Sequence, residues 1–143
     1  MDIELRNVTF RRFVELGRAP TAGEVAAAAG MGEADVRGGW RRLHDAHALV
    51  LDEIGEISMV HPFAAHPTDF VVEAGGRSWY ANCAWDAFGI GAAFDVDSHF
   101  ETHCPDCGEP IPIDVRDDRP DDESPVFHVL VPAARWWTDI GFT

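Results

Sequence analysis

The stretch Trp79-Tyr80-Ala81-Asn82-Cys83-Ala84-Trp85-Asp86 joins two kinds of sequence pattern near the middle of the chain. Before it, apolar residues on both sides of the turn Ala74-Gly75-Gly76-Arg77 predict a β-hairpin that delivers Cys83 at its end. After it, residues 84–88 are compatible with a short helix. On a helix, Cys83 and Asp86 share one face, so that their side chains can meet. Unpaired backbone N–H groups in a first helical turn favour a thiolate, and we expect one at Cys83.

A structural role competes with a chemical one for each of these side chains. Cysteine is among the residue types that are most often buried, so Cys83 is also consistent with a core position. Asp86 is then simply an acid that the helix dipole favours near a helix N-terminus. The neighbouring aromatic residues belong either to the core or to the wall of a substrate pocket: Trp79, Tyr80, Trp85 and Phe88.

The composition restricts the classes of partner. The chain of 143 residues carries a formal net charge of -14, and residues 51–143 supply the whole excess, with four arginines against eighteen acidic residues. Such a field repels nucleic acid and anionic membrane surfaces and attracts cations. No lysine is present, which excludes Schiff-base chemistry. Three cysteines, no signal-peptide pattern and no long apolar run predict a cytoplasmic protein with thiol or metal chemistry.

Residues 1–62 have the pattern of three short helices and a hairpin, which predicts a winged-helix-like subdomain. A DNA-binding role and a purely structural role both fit such a subdomain. The third helix mixes arginines with acidic residues, so nucleic acid is not the expected partner. The three helices are expected at 7–16, from the capping box of Thr21 to Gly30, and at 33–47. The two strands of the hairpin are expected at 48–51 and 56–60.

Residues 68–143 are expected to form a second unit, a mainly antiparallel β core with short helices, which makes the fold class α+β. The proline-containing stretch 61–67 separates the two units. Gly89 and Gly91 are expected to end the helix that carries Asp86. Further elements are expected as strands at 98–103, 111–115 and 126–131, and as a short helix at 132–137.

The motif Cys104-Pro105-Asp106-Cys107-Gly108 is half of a zinc-binding knuckle, because its turn directs two thiolates at one metal. A complete zinc site needs four ligands, and the sequence has no second cysteine pair. His99 and His103 are the candidates for the remaining positions, and a metal-free β-turn is the alternative. The cysteine pair is also a candidate relay of soft metal ions to Cys83.

Residues 79–115, with Tyr80-Ala81-Asn82-Cys83-Ala84-Trp85-Asp86 and the strand from Ser98 to Cys104, resemble the core of the organomercurial (alkylmercury) lyase family. The similarity continues through Leu130-Val131-Pro132 to Phe142, and the N-terminal helical region resembles that of the family as well. The resemblance implies that the Cys83 thiolate captures mercury and that Asp86 delivers the proton that releases the carbon group. It matches Cys104 to a cysteine of mainly structural importance.

The same resemblance implies the remaining site residues and partners. The second catalytic cysteine of the family is expected after Phe142, where this chain has Thr143. The implied substrate pocket comprises Trp79, Trp85, Phe142 and Thr143, and the candidate metal ligands are Cys83, Cys104, Cys107 and His103. The implied partners are a small organometallic or soft-metal ligand and an external small thiol, with no membrane. No cofactor is required; Hg(II) product or Zn(II) at Cys104 and Cys107 are the candidate bound metals.

The leading hypothesis is therefore protonolysis of a carbon–mercury bond by Cys83 and Asp86. The first alternative is a non-catalytic thiol protein that binds soft metals such as mercury, zinc or copper through its three cysteines. A winged-helix regulator that senses metal is the second alternative. Turnover separates the first two, because both bind mercury.

Overall fold

The structure of the chain, a computed structural model, describes residues 2–141 and confirms the α+β class. Helices come first and a mainly antiparallel sheet follows. The helices are α1 (Ile3–Leu16), α2 (Ala22–Ala29), α3 (Glu33–Asp45) and α4 (Ala84–Phe94), with a 3₁₀ helix at Ala133–Thr138. The strands are β1 (Val50–Leu51), β2 (Ile57–Val60), β3 (Phe63–Ala64), β4 (Phe70–Ala74), β5 (Arg77–Ala81), β6 (Ser98–His103), β7 (Pro110–Arg116) and β8 (Arg119–Pro120). Within the described residues, no helix is long and apolar enough to cross a membrane.

Side-chain caps begin α1 and α2, and a buried hydrogen bond joins α1 to α3. Thr21 accepts a hydrogen bond from the Glu24 backbone N–H, and the Glu24 carboxylate accepts one from the Thr21 N–H, which is the predicted capping box. Behind the caps, the indole N–H of Trp40 donates to the Thr9 hydroxyl at 2.9 Å, and both side chains are fully buried. The polar atom of α3's largest core side chain is therefore satisfied inside the helical layer.

One sheet joins the two halves of the chain. Its eight strands run in the order β1-β2-β3-β5-β4-β6-β7-β8, and every neighbouring pair is antiparallel. The link is β3, where Phe63 pairs with Ala81 of β5. The Phe63 ring also contacts Phe13 of α1 and Trp79 of β5, at centroid distances of 5.3 and 5.0 Å. The described parts of the two expected units, 2–62 and 68–141, thus share one sheet and one hydrophobic core.

Helix α4 continues past the two glycines that were expected to end it. It runs to Phe94 and packs on β4, β5 and β6. A Cβ at Gly89 would lie 3.2 Å from the Pro62 ring, and one at Gly91 would meet the Ser98 side chain at 2.5 Å. The prediction was wrong because tertiary packing against these small positions outweighs the poor helix propensity of glycine.

The strand expected at 126–131 is also absent. These residues have no ladder partner among the described residues, and Val126 and Leu130 remain 90% and 80% exposed. The sheet ends at β8, which pairs with β7 and has no further neighbour in the described part of the chain. An apolar run predicts burial, but only a neighbouring strand supplies the hydrogen bonds that make it part of a sheet.

Candidate active site

Cys83 lies at the junction where β5 ends and α4 begins. It is the N-cap residue of α4, with extended backbone dihedrals of -153° and 178°. Thr68 holds the end of β5 in place, because its hydroxyl donates a 2.5 Å hydrogen bond to the Ala81 carbonyl. The sulfur is therefore carried on a short segment between two packed elements, which gives it a defined position.

The structure brings Cys83 and Asp86 into contact, as their spacing on a helix suggests. The Cys83 Sγ lies 3.8 Å from Oδ2 of Asp86, and the amide of Asn82 donates a 3.1 Å hydrogen bond to the same oxygen. The other carboxylate oxygen, Oδ1, lies 3.6 Å from Nδ1 of His61. Asp86 is only 8% exposed, so its carboxyl group is largely shielded from solvent while it contacts Cys83, Asn82 and His61.

The surroundings of Cys83 disfavour its thiolate, contrary to the expectation from its place at the start of a helix. Burial raises the pKa of the Cys83 thiol, and the neighbouring Asp86 charge raises it further. The backbone N–H groups of Asp86 and Trp85 act in the other direction but do not outweigh burial. Cys83 therefore rests as the thiol, and its S–H group is oriented to donate toward Oδ2 of Asp86.

The pair opens into a cavity of about 500 Å³. Aromatic and imidazole side chains dominate its wall, a composition that suits a small apolar molecule carrying a polarisable centre. The lining residues are His47, Met59, His61, His66, Thr68, Asn82, Cys83, Trp85, Asp86, Trp136, Trp137, Ile140 and Gly141. His61 and His66 belong to the stretch 61–67 that was expected to separate the two units, and Trp136 and Trp137 to the short helix expected at 132–137. Neither pattern indicated that these residues line the cavity of Cys83.

The C-terminal 3₁₀ helix forms one side of this cavity. The Trp137 ring stacks on His47 at a centroid distance of 4.0 Å and meets the edge of His61 at 6.4 Å. The indole of Trp136 donates a 2.6 Å hydrogen bond to the Val131 carbonyl, which holds the short helix against the preceding segment. Residues that are about ninety positions apart in sequence therefore share one wall, and no local pattern could have indicated this.

The predicted pocket residues divide into three groups. Trp85 lines the cavity and is 64% exposed. Trp79 instead lies in the core between Phe63 and Phe94, and its indole N–H donates to the Ala74 carbonyl at 3.2 Å. Its position is a consequence of strand alternation, which directs the side chain of residue 79 to the buried face of β5. Phe142 and Thr143 lie outside the described residues.

Cys104 and Cys107 form a separate feature on the loop between β6 and β7. The Cys104 N–H donates to the Glu109 carbonyl at 2.9 Å, and the Gly108 N–H donates to the Cys104 carbonyl at 2.8 Å. Both thiols are free, and Cys107 is exposed. The pKa of Cys104 is lowered, because the backbone N–H groups of Cys107 and Asp106 hydrogen-bond its sulfur.

The candidate metal ligands do not assemble into one site. Among residues 2–141, no three His, Cys, Asp or Glu side chains are arranged to hold a metal ion. His103 lies near Glu101 at 3.9 Å, and His99 is paired with Asp114 at 2.9 Å, so neither completes a zinc site with the cysteine pair. Cys83 lines its cavity without Cys104 or Cys107.

Comparison with known proteins gives a consistent family and fold. A family model described as alkylmercury lyase matches residues 63–143. A solved structure, the mercury-bound form of MerB2, aligns with a TM-score of 0.65 and 24% sequence identity. The alignment covers 82% of this chain and 56% of that one, so this chain spans little more than half of that protein's length. Among curated proteins, no sequence matches this chain.

Proposed function

Because the chain belongs to the alkylmercury lyase family, we propose that it cleaves the carbon–mercury bond of organomercurials, with Cys83 as nucleophile and Asp86 as proton carrier. The observation that carries the proposal is the 3.8 Å contact between the Cys83 sulfur and the buried Asp86 carboxyl group in the lining of a cavity rich in aromatic side chains. A soft sulfur and a proton-carrying oxygen are the two groups that the reaction requires.

The first step attaches the substrate to sulfur. The Cys83 thiol transfers its proton to Oδ2 of Asp86 as the sulfur–mercury bond forms, and the anion that accompanied the organomercurial leaves. The raised pKa of Cys83 means that the resting site holds this proton until a soft metal replaces it on sulfur. The proton needed later is thus carried into the reaction by the enzyme's own thiol.

The second step returns that proton to carbon. Sulfur donation to mercury weakens the carbon–mercury bond and makes the carbon more basic, and protonated Asp86 then protonates it. The carbon–mercury electron pair becomes the new carbon–hydrogen bond, the hydrocarbon leaves, and Hg(II) remains on Cys83 with Asp86 again a carboxylate. The amide of Asn82 supports this step because it fixes the orientation of the carboxyl group.

Release of mercury requires further thiols. In the described chain, the cavity around Cys83 contains no second cysteine. An external small thiol therefore supplies the second sulfur ligand to Hg(II), and exchange with more thiol restores the Cys83 S–H group. This agrees with the cavity being open to solvent at Trp85, which is largely exposed.

The test is hydrocarbon release under excess thiol. Purified protein is incubated with phenylmercury and a small thiol, and benzene is measured by gas chromatography beside a Cys83→Ala variant. Ser78→Ala, a similarly small change on an exposed position of β5, is the matched control and should behave as the unaltered protein. Benzene from the unaltered protein and the control but not from Cys83→Ala supports the proposal. Equal benzene release from all three proteins would refute the proposal.

A non-catalytic soft-metal binder is the second candidate function. Its supporting observation is that, among residues 2–141, Cys83 has no second thiol in its cavity, so this candidate requires only that Cys83 binds mercury without turnover. Stoichiometric mercury retention with no benzene would select this candidate.

A further inference from the structure

We propose that Cys104 and Cys107 form a dithiol acceptor that takes the Hg(II) product from Cys83 by thiol exchange. The inference rests on the proposed function for the origin of the metal, but its binding site is independent of catalysis. It assigns a role to an exposed feature that the cleavage chemistry does not use.

The geometry of the loop suits a two-sulfur ligand set. Two backbone hydrogen bonds close a tight turn: the Cys104 N–H donates to the Glu109 carbonyl, and the Gly108 N–H donates to the Cys104 carbonyl. The turn carries both cysteines, three positions apart in the sequence. Both thiols are reduced and at least partly accessible to solvent.

The coordination chemistry selects a soft ion. Zinc in structural sites takes four ligands in a tetrahedral arrangement, and the described residues provide no group of three ligands that includes these cysteines. Hg(II) binds two thiolates in a near-linear arrangement and needs no more. A cysteine pair without further ligands is therefore better matched to Hg(II) than to Zn(II).

The loop lies at the same end of the sheet as Cys83. Phe70, at the start of β4, pairs with Ala81, at the end of β5. On its other edge β4 pairs antiparallel with β6, and this register brings the end of β6, which leads into the loop, to the same end of the sheet. Ala84, directly after Cys83, and His103 and Pro105, on both sides of Cys104, line one cavity of about 480 Å³. The two sites therefore lie at the same end of the sheet, and a small thiol in solution is the carrier of Hg(II) between them.

The exchange balances without an oxidant or reductant. Mercury remains Hg(II) throughout. Two sulfur–mercury bonds, to Cys83 and to the external thiol, break, and two form with Cys104 and Cys107. The two protons that the loop thiols lose pass to the Cys83 sulfur and to the external thiolate, which restores the resting thiol at the active site.

Direct titration tests the acceptor without any turnover. Reduced Cys83→Ala protein is mixed with mercuric chloride and a competing monothiol, and bound mercury per chain is read by native mass spectrometry and by sulfur-to-mercury charge-transfer absorbance. We expect one Hg(II) per chain. Adding Cys107→Ser to this variant should lower the affinity by on the order of a hundredfold or more, because chelation becomes binding to a single sulfur. Asp106→Asn, in the same turn with both thiols intact, is the control and should retain the metal.

Either of two results overturns the acceptor: no mercury on Cys83→Ala, or equal mercury after Cys107→Ser is added. Tight retention of Zn(II) in a parallel titration with zinc chloride would also overturn the assignment to a two-sulfur soft-metal site. Circular dichroism of each variant verifies that it is folded.

Transfer is tested on the unaltered protein by alkylation. One equivalent of mercuric chloride is added with a small thiol, iodoacetamide follows, and peptides are mapped by mass spectrometry. Protection of Cys104 and Cys107 with labelling of Cys83 supports transfer, and protection of Cys83 with labelling of the loop refutes it. Since the metal is supplied directly, failure of benzene release leaves this result interpretable and refutes only the proposed function.

Discussion

Replacement of Asp86 by asparagine should affect the two chemical steps differently. Asparagine has nearly the same shape, and its carbonyl can still accept the 3.1 Å hydrogen bond from Asn82. It cannot carry a proton to carbon. Positioned general acids typically contribute about a hundred- to ten-thousand-fold, so benzene release should fall by that factor, equivalent to about 3 to 5 kcal/mol of activation free energy.

The capture step loses Oδ2 of Asp86 as its proton acceptor but starts from a thiol that ionises more readily. The negative charge of Asp86 is one cause of the raised Cys83 pKa, and its removal lowers that pKa, although burial remains as the larger cause. At any pH below the pKa of the unaltered thiol, Asp86→Asn therefore has more thiolate and should react faster with iodoacetamide. Mercury capture should persist in this variant while cleavage is lost.

A single-turnover experiment separates the two effects. Protein in excess over phenylmercury is quenched at intervals, and benzene and protein-bound organomercury are measured together. Asp95→Asn, an acid-to-amide change just beyond the other end of α4, is the matched control and should follow the unaltered protein. The reasoning is refuted if Asp86→Asn releases benzene within about tenfold of the unaltered rate. Slower alkylation of Cys83 in the variant would refute the electrostatic part separately.

Three further predictions concern stability, thiol reactivity and the cavity wall. Thr9→Val removes the acceptor of the buried Trp40 N–H and should lower the free energy of unfolding by about 1–3 kcal/mol in urea titrations; a change near zero would contradict a buried unsatisfied donor. At pH 8, iodoacetamide should label Cys104 before Cys83, because the pKa of Cys104 is lowered and that of Cys83 is raised. Labelling of Cys83 should rise only at higher pH. Peptide mass spectrometry that found Cys83 labelled first would contradict this order. Trp137→Ala removes the ring that stacks on His47 and should raise KM for phenylmercury more than it lowers kcat; an unchanged KM would mean that this wall does not contact substrate.

Local sequence signals predicted most elements because their causes are local. The capping box of Thr21 and Glu24 and the hairpin around Gly75 and Gly76 depend on residues within a few positions of one another. The two wrong predictions depend on distant partners. Gly89 and Gly91 stay helical because Pro62 and Ser98 pack against them, and the apolar run at 126–131 lacks the neighbouring strand that its composition suggests.

The site shows the same division. The contact between Cys83 and Asp86 follows from three residues of spacing at a helix start, so the sequence alone predicted that these two side chains meet. Tertiary structure decided its environment: His61 beside Asp86, Trp137 across the cavity, and Trp79 in the core instead of the pocket. Tertiary structure also decided that the pKa of Cys83 is raised. Desolvation of the thiol depends on the surrounding packing, whereas the opposing effect of the helix N-terminus depends only on the local chain. A contact between residues that are close in sequence can be predicted from the sequence. The burial of these side chains and the walls of their cavity depend on segments that only the fold brings together.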